Sequence, residues 1–365
     1  MRTGIIWISI LLLFLSANFF VFWHVWKILP LPAWAKAIIV TLMALSFCLL
    51  FANFAPQMDT LPMSISRGIY EIGTSWTIVM LYLLMIFLVL DAGRLLHMVP
   101  ASFLKDSLWG SISITAFMLV ILVYGNIHYN HKVRQPLELT TGKEISKPLK
   151  IVMMSDLHLG YHNSRKEFAR WVDLVNAEQP DLILIAGDII DRSIRPLEEE
   201  KTAEEFHRLK APAIACLGNH EHYAGEPNAK RFYREAGITL LCDSVMQIDD
   251  IYIIGRNDRT DFKRKKLGEL MKGIDRSKYM VLLDHQPFNL EAAEQQHVDF
   301  QLSGHTHYGQ VWPISWITNF IYEKAFGAYQ KGNTRYYISS GIGIWGGKFR
   351  IGTRSEYVVA TVKHQ

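Results

Sequence analysis

The chain has 365 residues, with 38 basic side chains against 34 acidic ones, and half of it is hydrophobic. That length allows two domains, and the apolar share suits a membrane part joined to a water-soluble part. Residues 1–127 hold six Lys/Arg and four Asp/Glu, so both parts are close to neutral and no nucleic-acid partner is expected. Cys48, Cys216 and Cys242 are too few for a disulfide framework and leave at most one Cys216–Cys242 bridge.

Four apolar runs open the chain: 3–26, 37–58, 72–90 and 107–127, all free of Lys, Arg, Asp and Glu. A helix needs about 20 such residues to cross the hydrocarbon core, so 1–127 reads as four transmembrane helices in a cell membrane. The first run is too long for the apolar part of a cleaved signal peptide and is read as a helix that stays. Trp7, Trp23, Trp26, Trp34, Trp76 and Trp109 sit near run ends, as interface anchors do. Asp91 and Arg94 end the third run and read as a pair reaching the interface. Four crossings leave both termini on one face. That face holds Arg2, Arg67, Lys132, Arg134, Lys143 and Lys147 against Lys27, Lys36, Arg94 and Lys105 opposite, a small excess favouring the cytoplasm.

Residues 128–148 are polar and broken by Pro136, Gly142 and Pro148, which reads as a linker or an edge strand. From 149 to 365 the pattern changes. Short apolar runs at 149–154, 182–186 and 213–217 alternate with helical patterns at 164–178 and 198–209, the mark of parallel α/β pairing. Strands follow at 238–241, 245–248, 251–254, 279–284, 299–302, 335–339 and 356–362. Polar residues cluster past the strand ends, where open α/β sheets bind ligands.

Five motifs stand there: Asp156-Leu-His158, Gly187-Asp188-Ile-Ile-Asp191, Gly218-Asn219-His220-Glu221, Asp284-His285-Gln286-Pro287 and Gly304-His305-Thr-His307. Singly, each has an ordinary reading as a turn, a cap or an exposed histidine. Together, in this order, they form a metal-ligand set. Carboxylate with imidazole suits Mn, Fe or Zn better than Mg or Ca, which prefer oxygen alone.

The set resembles the calcineurin-like metallophosphoesterase superfamily over about residues 149–310. The resemblance implies a four-layer α/β-β/α sandwich and two divalent metal ions. Carried over, Asp156, His158, Asp188 and His307 would hold the first ion, with Asp188 bridging to a second held by Asn219, His285 and His305. His220 would protonate the leaving group, with Asp191 and Glu221 behind it and the ligands. A hydroxide between the ions would attack phosphorus. Gly304–Gln310, Gly341–Trp345 and Arg350-Ile-Gly352 resemble a bacterial membrane-associated phosphodiesterase branch, which often has Gly where Tyr308 stands.

The expected function is therefore a membrane-bound hydrolase of phosphodiester or pyrophosphate bonds, with the bilayer as partner and a lipid-linked phosphate as substrate. The alternatives are a phosphomonoesterase on a soluble substrate, or a membrane sensor or scaffold with a non-catalytic hydrolase-like domain. Residues 311–329, rich in Trp, Ile and Phe, read as an apolar cap dipping into the interface or as a packed loop. Arg256, Arg259, Lys263, Arg264, Lys265 and Lys266 read as a solvated helix face or an anion site. His162, His222 and His297 match no ligand position, and His222 is kept as a substrate contact.

Overall fold

A computed structural model describes residues 2–365, except for the side chains of residues 2–7 and Ile10. The anchoring expected of Trp7 and the charge of Arg2 lie outside the described residues. The chain forms two compact units, Met1–Gly125 and Asn126–Gln365.

The first unit is built from α1 (Arg2–Ile28), α2 (Ala33–Ala52), α3 (Met63–Leu95) and most of α4 (Leu108–Asn130). All four are long and apolar enough to cross a membrane. Gly73 of α3 lies so close to α2 that an added Cβ would come within 2.6 Å of the Leu49 backbone, a small-residue helix contact. Trp76 is no interface anchor. It is buried and donates to Asn18 Oδ1 of α1 at 2.8 Å. Trp23, Trp26, Trp34 and Trp109 are exposed. Asp91 pairs with His24 of α1 at 3.1 Å rather than with Arg94.

In the second unit the strands are β1 (Lys132–Thr141), β2 (Leu149–Met154), β3 (Leu182–Ala186), β4 (Ala213–Cys216), β5 (Thr239–Leu240) and β6 (Ser244–Ile248). Then come β7 (Ile251–Gly255), β8 (Tyr279–Leu283), β9 (Phe300–Ser303), β10 (Gly327–Lys331), β11 (Thr334–Ile338) and β12 (Ser355–His364). They make two six-stranded sheets, ordered β1-β12-β2-β3-β4-β5 and β10-β11-β9-β8-β7-β6. Ile151, Leu184 and Val358 of the first sheet share one buried cluster with Ile253, Val281 and Leu302 of the second, so the sheets stack face to face.

The outer face of the first sheet packs on α5 (Arg165–Ala177), through Phe168, Trp171, Val172 and Val175. The same cluster takes in α6 (Arg195–Glu199), α7 (Ala203–Phe206) and, past α8 (Asn219–Tyr223), α9 (Glu226–Glu235). The second sheet packs on α10 (Leu267–Leu270) and α11 (Glu291–Gln295), and α12 (Ile314–Ile321) follows β9. These are the four expected layers.

Of the two readings of residues 128–148, the edge strand holds and the free linker does not. Residues 132–141 pair in parallel with β12 along their full length, which satisfies the backbone groups that a free linker would leave to water. The helix expected at 198–209 is two short helices, α6 and α7, and β10 was not anticipated. All three cysteines are free thiols.

Candidate metal centre

Strands β2, β3 and β4 run parallel, as do β8, β9 and β11. Their C-terminal ends therefore open on one edge of the stacked sheets, and Asp156, Asp188, Asn219, His285 and His305 all follow directly from such ends. Five of the expected ligands adopt left-handed backbone: Asp156 (φ 54°), His158 (45°), Asp188 (53°), His305 (70°) and His307 (46°). Non-glycine residues rarely do so, and strain of this kind collects at functional sites. Glycines make the close approach possible. A Cβ at Gly218 would fall 2.1 Å from Asp188 Oδ1, and one at Gly304 would fall 2.2 Å from Asp156 Oδ2.

The side chains converge into groups whose possible ligand atoms lie within 4.8 Å of one another: Asp156, His158 and His307; Asp188, His285 and His305; and His158, Asp191 and His220. The first two groups correspond to the two ion sites expected from sequence. Asp188 lies between them, with its Oδ2 3.6 Å from His158 Nε2 and 3.0 Å from His285 Nε2. Asn219 is buried, and its Oδ1 has no hydrogen-bond partner among the described residues.

Several ring orientations are fixed from behind. His158 Nδ1 faces Asp191 Oδ1 at 3.2 Å, and His285 Nδ1 donates to the Ala186 carbonyl at 2.7 Å. Each bond leaves Nε2 to present a lone pair, the usual way a protein prepares a histidine ligand. His158 Nε2 and His307 Nε2 then face each other at 3.0 Å with Asp156 Oδ1 3.5 Å from the latter. The unsatisfied Asn219 oxygen and these facing nitrogens fit divalent cations, which would give every one of them a partner.

The charges agree with that fit. Burial lowers the pKa of His305, to about 4, and with the nearby His158 ring keeps His307 well below the usual imidazole value, so both are neutral donors. Burial also disfavours a charged His285, but Asp188 and Asp156 outweigh it and hold the ring's pKa well above the usual value. A cation at that place takes over the proton's role, as metal binding at such groups does.

Glu221 is fully buried and serves the backbone. It accepts from Gly218 N (2.7 Å), Asp188 N (3.0 Å) and Ile190 N (2.9 Å), which locks the β3 and β4 loops together. His220 is half-buried. Its Nδ1 donates to the Asp191 carbonyl at 2.5 Å, and its backbone N–H donates to Asp188 Oδ1 at 2.9 Å.

Sequence reading missed three supports. Arg350 is fully buried and donates to the carbonyls of His307 (2.7 Å), Ser340 and Gly343 (3.0 Å). The loop it grips donates back through Ile342 N to Ser155 O and Gly343 N to Asp156 O, so Arg350 joins two ligand-bearing turns. Asn163 donates to the carbonyls of Leu157 (3.1 Å) and His158 (3.0 Å), and Tyr129 donates to Asn163 Oδ1 at 2.6 Å. The only sequence signal was the Gly341–Gly352 pattern around Arg350.

His222 is engaged by Asn257 Oδ1 at 3.2 Å, and His162 Nε2 donates to the Ile344 carbonyl at 2.6 Å. Tyr308 stacks on Phe326 at 4.9 Å. Residues 311–329 form neither a plain loop nor a crossing. Helix α12 exposes Trp316, Ile317, Phe320 and Ile321, with Phe320 91% exposed, while Ser315 is buried.

Comparison with known proteins places this geometry. The family model for calcineurin-like phosphoesterases matches residues 149–309. The chain is 30% identical over 253 residues to an uncharacterized metallophosphoesterase of Campylobacter jejuni, covering 67% of each chain. It is 32% identical over 240 residues to one from Aquifex aeolicus, covering 62% of this chain and 88% of the relative. A transmembrane protein with metallophosphoesterase domain from Danio rerio is 30% identical over 236 residues, 59% of this chain and 53% of that protein. The chain thus spans from about half to nearly nine-tenths of the length of these relatives.

Proposed function

The chain belongs to the calcineurin-like phosphoesterase family, and from that premise we propose a membrane-bound hydrolase of phosphodiester or pyrophosphate bonds that works with two divalent cations. The observation that carries this reading is the pair of neighbouring ligand groups with the Asp188 carboxylate between them. Asp156, His158, Asp188 and His307 would hold one ion, and Asp188, Asn219, His285 and His305 would hold the other. This nitrogen and oxygen donor set suits Mn, Fe or Zn. When bound, the ions supply Lewis acidity, which activates water at neutral pH and offsets phosphoryl charge.

The chain's own residues do the rest. Asp156 and Asp188 are the two carboxylate ligands and Asn219 is neutral, so two dications keep a positive excess that draws an anionic substrate. Asp191 and Glu221 hold the His158 ring and the Asp188 turn in place. With the Nδ1–H of His220 donated to the Asp191 carbonyl, it is the protonated imidazolium that carries on Nε2 the proton an oxygen leaving group requires.

A lipid-linked substrate is supported by α12. It begins seven residues after His307 and presents an exposed apolar face in a chain that carries four helices apolar enough to cross a membrane. The excess of positive charge favours the cytoplasmic face for the hydrolase unit.

The test is turnover by the purified full chain in detergent with Mn. Bis(p-nitrophenyl) phosphate should be cut faster than p-nitrophenyl phosphate, and a lipid extract should lose a phosphate-linked species by mass spectrometry. Preference for the monoester would favour a phosphomonoesterase. No turnover of either, with metal content verified, would favour a sensor or scaffold.

A further inference from the structure

The segment 256–266 carries six cations, and the structure separates their duties. Arg256 and Arg264 both bind the Asp284 carboxylate, at 2.8 Å and 3.0 Å. They are structural, because that buried carboxylate would otherwise stand unpaired. Lys263, Lys265 and Lys266 are exposed. Arg259 is exposed like the three lysines but differs from them in its partner. Its guanidinium lies over the Phe288 ring, 4.1 Å from the centroid, and among the described residues no carboxylate pairs with it.

The turn that presents Arg259 is fastened to the metal centre. Asp258 is fully buried and accepts from Thr260 N (2.8 Å), which closes the turn, and from Gln286 Nε2 (2.9 Å). Gln286 is the neighbour of the ligand His285. Phe288, two residues further, packs on Tyr322 at 4.6 Å, and Tyr322 meets the ring of His305 at 6.2 Å. Arg259 is therefore a cation held in a limited set of rotamers, two aromatic rings away from a metal ligand. Stacking on an aromatic face leaves the guanidinium fork free for a planar or tetrahedral anion.

We propose that Arg259, backed by Phe288 and Tyr322, binds a second anionic group on the substrate, a phosphate or carboxylate separate from the phosphoryl group under attack. The inference rests on the metal-centre reading above and narrows it. The preferred substrates are pyrophosphate-linked or multiply anionic esters, not simple diesters with neutral arms. A guanidinium is suited to this because it engages an anion through two parallel N–H bonds.

Binding, not turnover, tests the proposal. The metal-loaded full chain in neutral detergent is titrated calorimetrically with inorganic phosphate and with alkane-α,ω-diyl bisphosphates from ethane to hexane. Neutral detergent removes anionic lipid, so an advantage seen there belongs to the bisphosphate and not to a bilayer headgroup. At the best spacer, wild type should bind the bisphosphate roughly 10- to 100-fold more tightly than phosphate, the usual worth of a charge-assisted contact. Arg259→Gln should erase that ratio, and Arg259→Lys should keep part of it. Bisphosphates that never exceed phosphate, or an advantage that survives Arg259→Gln, would overturn the arginine subsite alone. Failure of phosphate itself to bind the metal-loaded chain would overturn the metal-centre reading as well.

Discussion

Asp188 Oδ2 stands between His158 and His285, and the residue's backbone N–H is held by Glu221, so one side chain joins two ligand groups and two loops. Asn219 is proposed as a ligand of the second ion alone. Asn219→Ala should therefore lower the metal content of the purified chain toward one ion, while Asp188→Ala should abolish turnover. Full occupancy in Asn219→Ala would remove that residue from the ligand set. His220 predicts a different signature. His220→Ala should keep its metals yet lose roughly 100- to 10,000-fold in turnover, the usual range for a general acid. The loss should shrink for aryl esters with acidic leaving groups, which depart without a proton. Equal losses across a leaving-group series would assign His220 to holding phosphate. The motif residues were legible because each motif is a short contiguous string after an apolar run. Arg350, Asn163 and Tyr129 were not, because their value lies in partners far along the chain: Tyr129 meets Asn163 34 residues away, and Arg350 grips His307 across 43.

Elements with a strong period were legible. Helix α5 spans Arg165–Ala177 against an expected 164–178, since its apolar stripe repeats at helical spacing and Ser164 with Glu167 frames its start. Strand β10 was missed and β1 was read only as a linker or an edge strand, for a physical reason. Both are sheet edges, with one side open and few buried positions, so their sequences keep polar residues that read as loop. Residues 311–329 gave their apolar character from sequence, but only the structure shows which face is open. Helix α12 turns Trp316 (65% exposed) and Phe320 outward. Trp316→Ser with Phe320→Ser should leave folding intact, because neither ring is buried. It should weaken turnover of a lipid phosphodiester in vesicles while sparing bis(p-nitrophenyl) phosphate. Equal loss on both substrates, or no loss on either, would make α12 ordinary surface.

At the scale of the whole molecule, the division into an apolar helical unit and an α/β unit follows from composition, because four charge-free runs cannot be covered by a core this small. Which membrane face holds the hydrolase unit rests on a handful of Lys and Arg. A C-terminal fusion to alkaline phosphatase should stay inactive, and an active fusion would reverse the assignment. A metal-loaded centre in this chain is proposed to hydrolyse phosphoesters. The measurement that tests it most directly is turnover of bis(p-nitrophenyl) phosphate by the purified full chain, stripped by a chelator and then titrated with Mn. The stripped chain should turn over nothing, and activity should rise to saturation near two equivalents of bound metal, a rise absent in Asp188→Ala. Turnover that survives stripping, or a fully loaded chain that cuts nothing, would contradict it.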